Sequence, residues 1–262
     1  MGELHLNNWI HFMQVANALH VGPATSIPYV FRGQSDAGWE LEPSLLRVLK
    51  KKNLSSEQAL LIEKNALEEF QSQAHLHISP NVLSSTTDTL SWWTLMQHHG
   101  APTRLLDWSQ SIYAAAYFAV IDNPEKDGAV WLVHVSSVIE KMKSTFQNYS
   151  MPITKAETRT KFLGANSPDE LYIFGRKRKS ERMVAQQGLF SICRNINSSH
   201  SDVLSKVFPS QEGKEVYRKL VIPFDQKNEY LTRLRSMNVT ASSLFPGLDG
   251  VGKSICEFIQ LS

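Results

Sequence analysis

The chain is 262 residues long, which at roughly 100–200 residues per domain allows one large domain or two small ones. Its 42% hydrophobic and 20% charged content excludes disordered, collagen-like and coiled-coil classes, and Cys193 and Cys256 alone are too few for a disulfide framework or a Cys-rich zinc module. Lys+Arg number 27 and Asp+Glu 25, a net charge of +2 that names no partner by itself.

No apolar run reaches the roughly 18–20 residues of a membrane helix, and the start lacks the basic and apolar regions of a signal peptide. The expectation is a soluble cytoplasmic protein with no membrane contact. Leu6 to His20 carries Trp9, Phe12, Met13, Ala16 and Leu19 near the helical period and predicts an amphipathic helix ended by Gly22-Pro23. Ile27 to Phe31 predicts a strand stopping at Arg32-Gly33-Gln34. Pro43 and Ser44 open a short helix through Val48, and Ser56 starts a longer one to His75. Ser79 to Thr87 reads as a loop, after which Asp88 caps a helix through Trp92 and Trp93 to the stop at Gly100.

Thr103 to Leu106 predicts a very short strand, with Asp107 or Ser109 capping the helix Ser111 to Val120. Ala114, Ala115, Ala116 and Ala119 make that helix lean enough to lie close on a sheet. Ala129 to Val135 reads as a strand, Ser136 to about Gln147 as a helix, and the stretch to Asp169 as loop. Later strands are expected at Leu171 to Phe174, at Val184 to Cys193 with an interruption at Gln186-Gln187-Gly188, and at Lys219 to Ile222. Helices close the chain near 226–235 and 251–259. The implied architecture is α+β, a single domain over 1–262 with a small central mixed sheet flanked by helices. Its motif-bearing core spans about 27–135, and 170–262 completes the sheet.

Gly247 to Ser254 fits the phosphate-cradling pattern G-x-x-x-x-G-K-S, but Phe245-Pro246 stands where the preceding strand belongs and only eight residues follow. A turn into the last helix is the expected role. Arg176, Lys177, Arg178 and Lys179 form a dense cationic run that suits either a solvated loop or contact with nucleic acid. His98 and His99 are adjacent and point about 100° apart on a helix, so no metal site is indicated. Either cysteine is expected to be a buried apolar side chain.

Polar groups concentrate in two segments, Tyr29 to Gln34 with Trp39, Pro43 and Ser44, and Gln97 to Ser109. An arginine at a strand end is a forked donor for phosphate or carboxylate, and a following glycine lets a ligand approach the backbone. Arg32 or Arg104 paired with Asp107 inside the fold is the competing, structural reading.

These segments resemble the FRG domain family, through Phe31-Arg32-Gly33, the stretch Trp39 to Arg47, Gln97-His98 with Gly100, and Pro102 to Ser109 with the Ala/Tyr-rich helix ending Tyr117-Phe118-Ala119. The match resumes weakly at 182–190 and 244–250. A weaker resemblance is to ADP-ribosyltransferases, which place Arg-Gly at the end of the first core strand, where the Arg steadies the NAD phosphates. That resemblance implies a glycosyl-type transferase using NAD as substrate, with no metal, in the setting of a bacterial toxin or antiphage defence effector. Arg32, Gly33, Gln34, Gln97, Thr103 and Arg104 would bind the nucleotide, and His98 would contact ribose or base. The carboxylate those enzymes carry on a later strand falls here at Arg182, so Asp107, Glu181 or Glu257 would have to replace it. The alternative is a nucleotide or nucleic-acid binding module without turnover. The acceptor is an unidentified macromolecule, with nucleic acid suggested by the run 176–179.

Overall fold

The apolar run Gly128–His134 needs cover on both faces, and it forms a central strand, β4, of a seven-stranded sheet. The other strands are β1 (Glu3–His5), β2 (Tyr29–Gln34), β3 (Leu105–Ser109), β5 (Leu171–Phe174), β6 (Gly188–Cys193) and β7 (Tyr217–Ile222), in the order β1-β7-β4-β2-β3-β6-β5. β1 runs parallel to β7 and every other pairing is antiparallel. The computed structural model describes residues 2–19, 28–145, 163–175, 180–209 and 215–261. Within them the chain is the expected α+β domain with one mixed sheet and helices on both sides.

Alternation along β4 sends Ala129, Trp131 and Val133 into one core and Val130 and Leu132 into the other. The first core is covered by α3 (Ser56–Ala74) and α5 (Thr89–His98), the second by α1 (Trp9–Leu19) and α6 (Ile112–Val120). α6 packs almost backbone to backbone on the sheet. A Cβ on Gly33 would stand 1.9 Å from the Ala115 carbonyl oxygen, and one on Gly128 would stand 2.2 Å from that of Ala119. Gly33 is therefore a packing residue that admits a helix, and its backbone also lines the cavity between β2 and β3.

Several local expectations change. β2 does not stop before Arg32-Gly33-Gln34 but includes all three, because β4 supplies their ladder partners: Arg32 opposite Trp131, Gly33 opposite Val130, Gln34 opposite Ala129. Asp107 and Ser109 belong to β3, since β6 pairs along all of it, and Ser109 instead accepts from the Ser111 N–H just before α6. The cap of α6 is Ser111, which accepts from the Ala114 N–H. The stretch 79–87 contains a short helix, α4 (Pro80–Ser85), with Pro80 in its first turn. Two further helices follow α6, namely α7 (Val135–Thr145) and α8 (Glu181–Ala185). α8 replaces the strand start foreseen at Val184, because Ser180 caps Met183 and the turn at Gln187, with φ of 49°, resets the chain before β6. The three-residue β1 had no periodic signal to announce it; only its long-range pairing with β7 defines it.

The chain ends through α9 (His200–Val207), α10 (Lys227–Ser236), α11 (Ala241–Leu244) and α12 (Leu248–Leu261). The glycines of the phosphate-loop pattern lie at the start of and within α12. A Cβ on Gly250 would meet the Phe245 carbonyl oxygen at 1.8 Å, so that position serves close packing on the preceding turn. Cys193 is buried as expected; Cys256 is exposed on α12, contrary to expectation, because the helix turns Glu257 inward beside it.

Candidate functional site

β2 and β3 share a single paired position, Phe31 opposite Ser109, and then diverge. Arg32 reaches across the gap and its Nη1 donates to the Asp107 carbonyl oxygen at 2.8 Å. A cavity of about 320 Å³ opens there, where Arg32, Arg47, Arg182 and Asp107 meet under Trp39. Arg47 comes from α2 (Ser44–Lys50), Arg182 from α8, and the rim from Ser35 and Asp122. Lys227, buried at the start of α10, fastens that rim by donating to the carbonyls of Ser35, Asp122 and Asn123 at 2.8–2.9 Å.

Arg32 is half-buried, and its Nε has no hydrogen-bond partner among the described residues. Burial lowers its pKa, the Asp107 charge opposes that, and the Arg47 charge adds to it. A guanidinium remains charged through such a shift, and Arg32 keeps its charge at the cavity wall. The Asp107 carboxylate is oriented by a relay: Gln97 Nε2 donates to it at 2.6 Å, and the Thr103 hydroxyl donates to Gln97 Oε1 at 2.5 Å. A carboxylate can only accept, so the relay fixes the amide with its nitrogen toward Asp107.

The foreseen site residues thus divide. Arg32 and Asp107 line the cavity together, and Gln97 and Thr103 stand behind Asp107. Gln34 touches the cavity, but its amide is engaged by the Trp131 indole and the Glu40 carbonyl. His98 and Glu181 lie in an adjoining cavity of about 440 Å³, joined to the first through Arg182 and walled also by Asp249 and Lys253. There the Arg182 and Lys253 cations both lie against the Phe245 ring, at 4.8 and 5.2 Å from its centroid. His98 is lowered in pKa by burial, then by His99 and Arg182, which keeps it neutral near pH 7. Arg104 lies elsewhere. It is 4% exposed, forks onto both oxygens of Glu63 at 2.5 Å, and stacks on Trp93. Neither foreseen pairing with the Asp107 carboxylate forms: Arg104 is held by Glu63, and Arg32 takes the backbone oxygen. Glu257 is buried in α12, bonded to Tyr117 and the Ala241 N–H. The basic run Arg176, Lys177, Arg178 and Lys179 falls outside the described residues. Among the described residues no group of three or more His, Cys, Asp or Glu side chains is gathered as for a metal.

Trp39 groups with the polar segment at Arg32 in the sequence, but the residue types did not mark Arg47 and Arg182 as site residues. Trp39 and Arg47 lie in the stretch that carried the resemblance, and Arg182 stands where a carboxylate was sought, so the available signal was that resemblance and no periodicity.

Behind the site, His200 is fully buried and neither ring nitrogen has a hydrogen bond of ordinary geometry. Burial pushes its pKa down to about 3, against a weaker upward pull from the Ser191 backbone, and the Arg32 charge adds to the lowering. A histidine neutral in the folded state and free to protonate when unfolded contributes stability above its ordinary value near 6.5, and that stability is lost as pH falls toward 3. Between pH 7 and 5 the wild type is expected to lose about 2 kcal/mol more than a His200→Leu variant, one 1.4 kcal/mol increment per pH unit below 6.5. Urea unfolding of both proteins at the two pH values measures this; equal losses would refute it.

Neither curated proteins nor solved structures match the chain. The family model of the FRG domain does, over residues 27–128, which hold β2, β3, α6 and all of the cavity except Arg182 and Gln186. The divergent pair of strands, with Arg32 bridging them and α6 seated on Gly33, is thus the centre of the segment that matches the FRG domain model.

Proposed function

We propose that the chain binds NAD in the cleft between β2 and β3 and transfers its ADP-ribosyl group to an acceptor. The observation that supports this most is the convergence of Arg32, Arg47 and Arg182 on one cavity with an oriented carboxylate, Asp107. Three forked cations suit a pyrophosphate. Trp39, about half exposed at the mouth, offers a face for a base or the nicotinamide. In this reading the larger adjoining cavity, lined by His98, Glu181 and Arg182, gives room for the rest of the dinucleotide and for the acceptor.

In this reading the acceptor nucleophile bonds to the anomeric carbon of the nicotinamide ribose, the carbon–nitrogen bond breaks, and its electron pair leaves with nicotinamide. Asp107 faces the ribose, where a negative charge counts most as positive charge develops on the sugar. The acceptor gives up its proton to Glu181, one of the two carboxylates, with Asp249, that line the adjoining cavity. The setting is a toxin or defence effector acting on a macromolecule in the cytoplasm.

The second reading is a nucleotide or nucleic-acid binding module without turnover. Its support is Arg182, a cation where the resembled enzymes carry their carboxylate. At 100 times the dissociation constant NAD stabilises by about 2.7 kcal/mol, which raises the melting temperature by about 5–10 °C for a domain of this size. Arg32→Ala is expected to remove that rise. Asp107→Asn is expected to keep it while lowering transfer of label from NAD to acceptor, or its hydrolysis, by about 10²–10³-fold. A rise without transfer in the wild type selects the binding module; no rise with NAD removes the proposed enzyme.

A further inference from the structure

α12 has two faces of different use. Its inner face is locked down: Gly250 and Glu257 are buried, and Glu257 Oε1 accepts from the Tyr117 hydroxyl at 2.5 Å and from the Ala241 N–H at 2.6 Å. Burial, together with that carboxylate, raises the Tyr117 phenol far above its ordinary pKa, so it stays protonated and donating. The helix is therefore a fixed part of the domain. Its outer face nevertheless carries Leu248, Val251, Ile255, Phe258 and Ile259, which are 86, 50, 56, 59 and 68% exposed. The steps 248, 251, 255 and 258 are three, four and three residues, the spacing of a helix-pairing seam. No charged residue interrupts it; Asp249 and Lys253 fall on the flank that walls the adjoining cavity.

We propose that this seam is a homodimer interface, with α12 of one chain packed on α12 of a second copy. A twofold axis brings a seam onto itself, so an uncharged apolar stripe meets its own equal without like-charge repulsion. The five side chains offer on the order of 500 Å² of apolar surface per copy, and a symmetric pair then buries about 1,000 Å² from the seam alone, the size at which specific interfaces begin. An apolar patch of several hundred Å² is larger than a lone surface normally leaves to water. A bilayer surface is the less suitable occupant, because interfacial helices carry lysines and arginines on the polar face. Away from the buried Glu257, α12 carries one lysine, Lys253, against one carboxylate, Asp249. The proposal does not depend on the reaction assigned to the cleft.

Sedimentation equilibrium of the full chain up to about 100 µM reads the outcome, a range that captures weak dimers. The expected mass is that of two chains. Val251→Asp and Ile255→Asp are each expected to give one chain with an unchanged circular dichroism spectrum, whereas Cys256→Ser, on the same helix but off the seam, stays dimeric. A one-chain mass at every concentration overturns the proposal, as does a two-chain mass that survives both aspartate variants. So does a one-chain protein that pellets with phosphatidylcholine/phosphatidylglycerol vesicles and is released by Ile255→Asp.

Discussion

Glu63→Ala is expected to lower stability by about 3–5 kcal/mol and the melting temperature by about 10 °C, because it strands a guanidinium inside the protein. Arg104 is held by two hydrogen bonds to Glu63, a longer one to the Arg194 carbonyl at 3.3 Å, and the face of Trp93. With both partners almost out of solvent, water cannot replace the lost carboxylate. Arg104→Ala should cost a similar amount, since it leaves Glu63 in the same position. Replacing both by apolar residues, as in Glu63→Leu with Arg104→Met, should recover most of the loss, because the desolvation of both ions disappears with them. Thermal melts of the three variants decide the matter, and a shift below about 2 °C for Glu63→Ala would refute a structural ion pair. NAD binding measured well below the melting temperature should be unchanged in all three, because Arg104 does not line the cavity.

Gly33→Ala should be nearly as damaging for a different reason. The added methyl would stand 1.9 Å from the Ala115 carbonyl and 2.8 Å from the Ala119 nitrogen, both backbone atoms of α6. No side-chain rotamer relieves that contact, so the helix must lift from the sheet and loosen the core beneath it. The expected cost is about 3–5 kcal/mol, at the upper end for a single substitution. Ala115 and Phe118 of α6 also line the cavity, so the protein that remains folded should bind nucleotide more weakly. Gly252→Ala is the control: nothing lies within 4 Å of its Cβ position, and an exposed helical glycine exchanged for alanine should gain about 0.5–1 kcal/mol. Urea unfolding of the two variants measures the contrast, and equal effects would show that the close approach of α6 is unimportant.

These two substitutions also show where sequence reading reached its limit. Arg32 and Arg104 are the same residue type, both beside short strands and both suited to phosphate. Only Arg32 faces the cavity, since the partner of Arg104 lies 41 residues away on α3. Gly33 carried the resemblance correctly, yet its neighbour is a helix backbone 82 residues further along. Gln97 and Thr103, read from sequence as nucleotide contacts, are hydrogen-bonded in a line that ends on the Asp107 carboxylate. His98 and Glu181 keep to the cavity next door.

From the residues alone came the α+β class, most of the helices, the central strands and the segments around Arg32 and Asp107. These rest on local periodicity, on caps and on short motifs that neighbouring residues carry within themselves. Tertiary structure alone decided which cations share the cavity with Asp107, that β2 and β3 separate after one paired position, that Glu63 takes Arg104, and that the outer face of α12 is left open. Each of these depends on two stretches far apart in the chain meeting, and the direction and partner of a side chain are then set by packing, which no local pattern encodes.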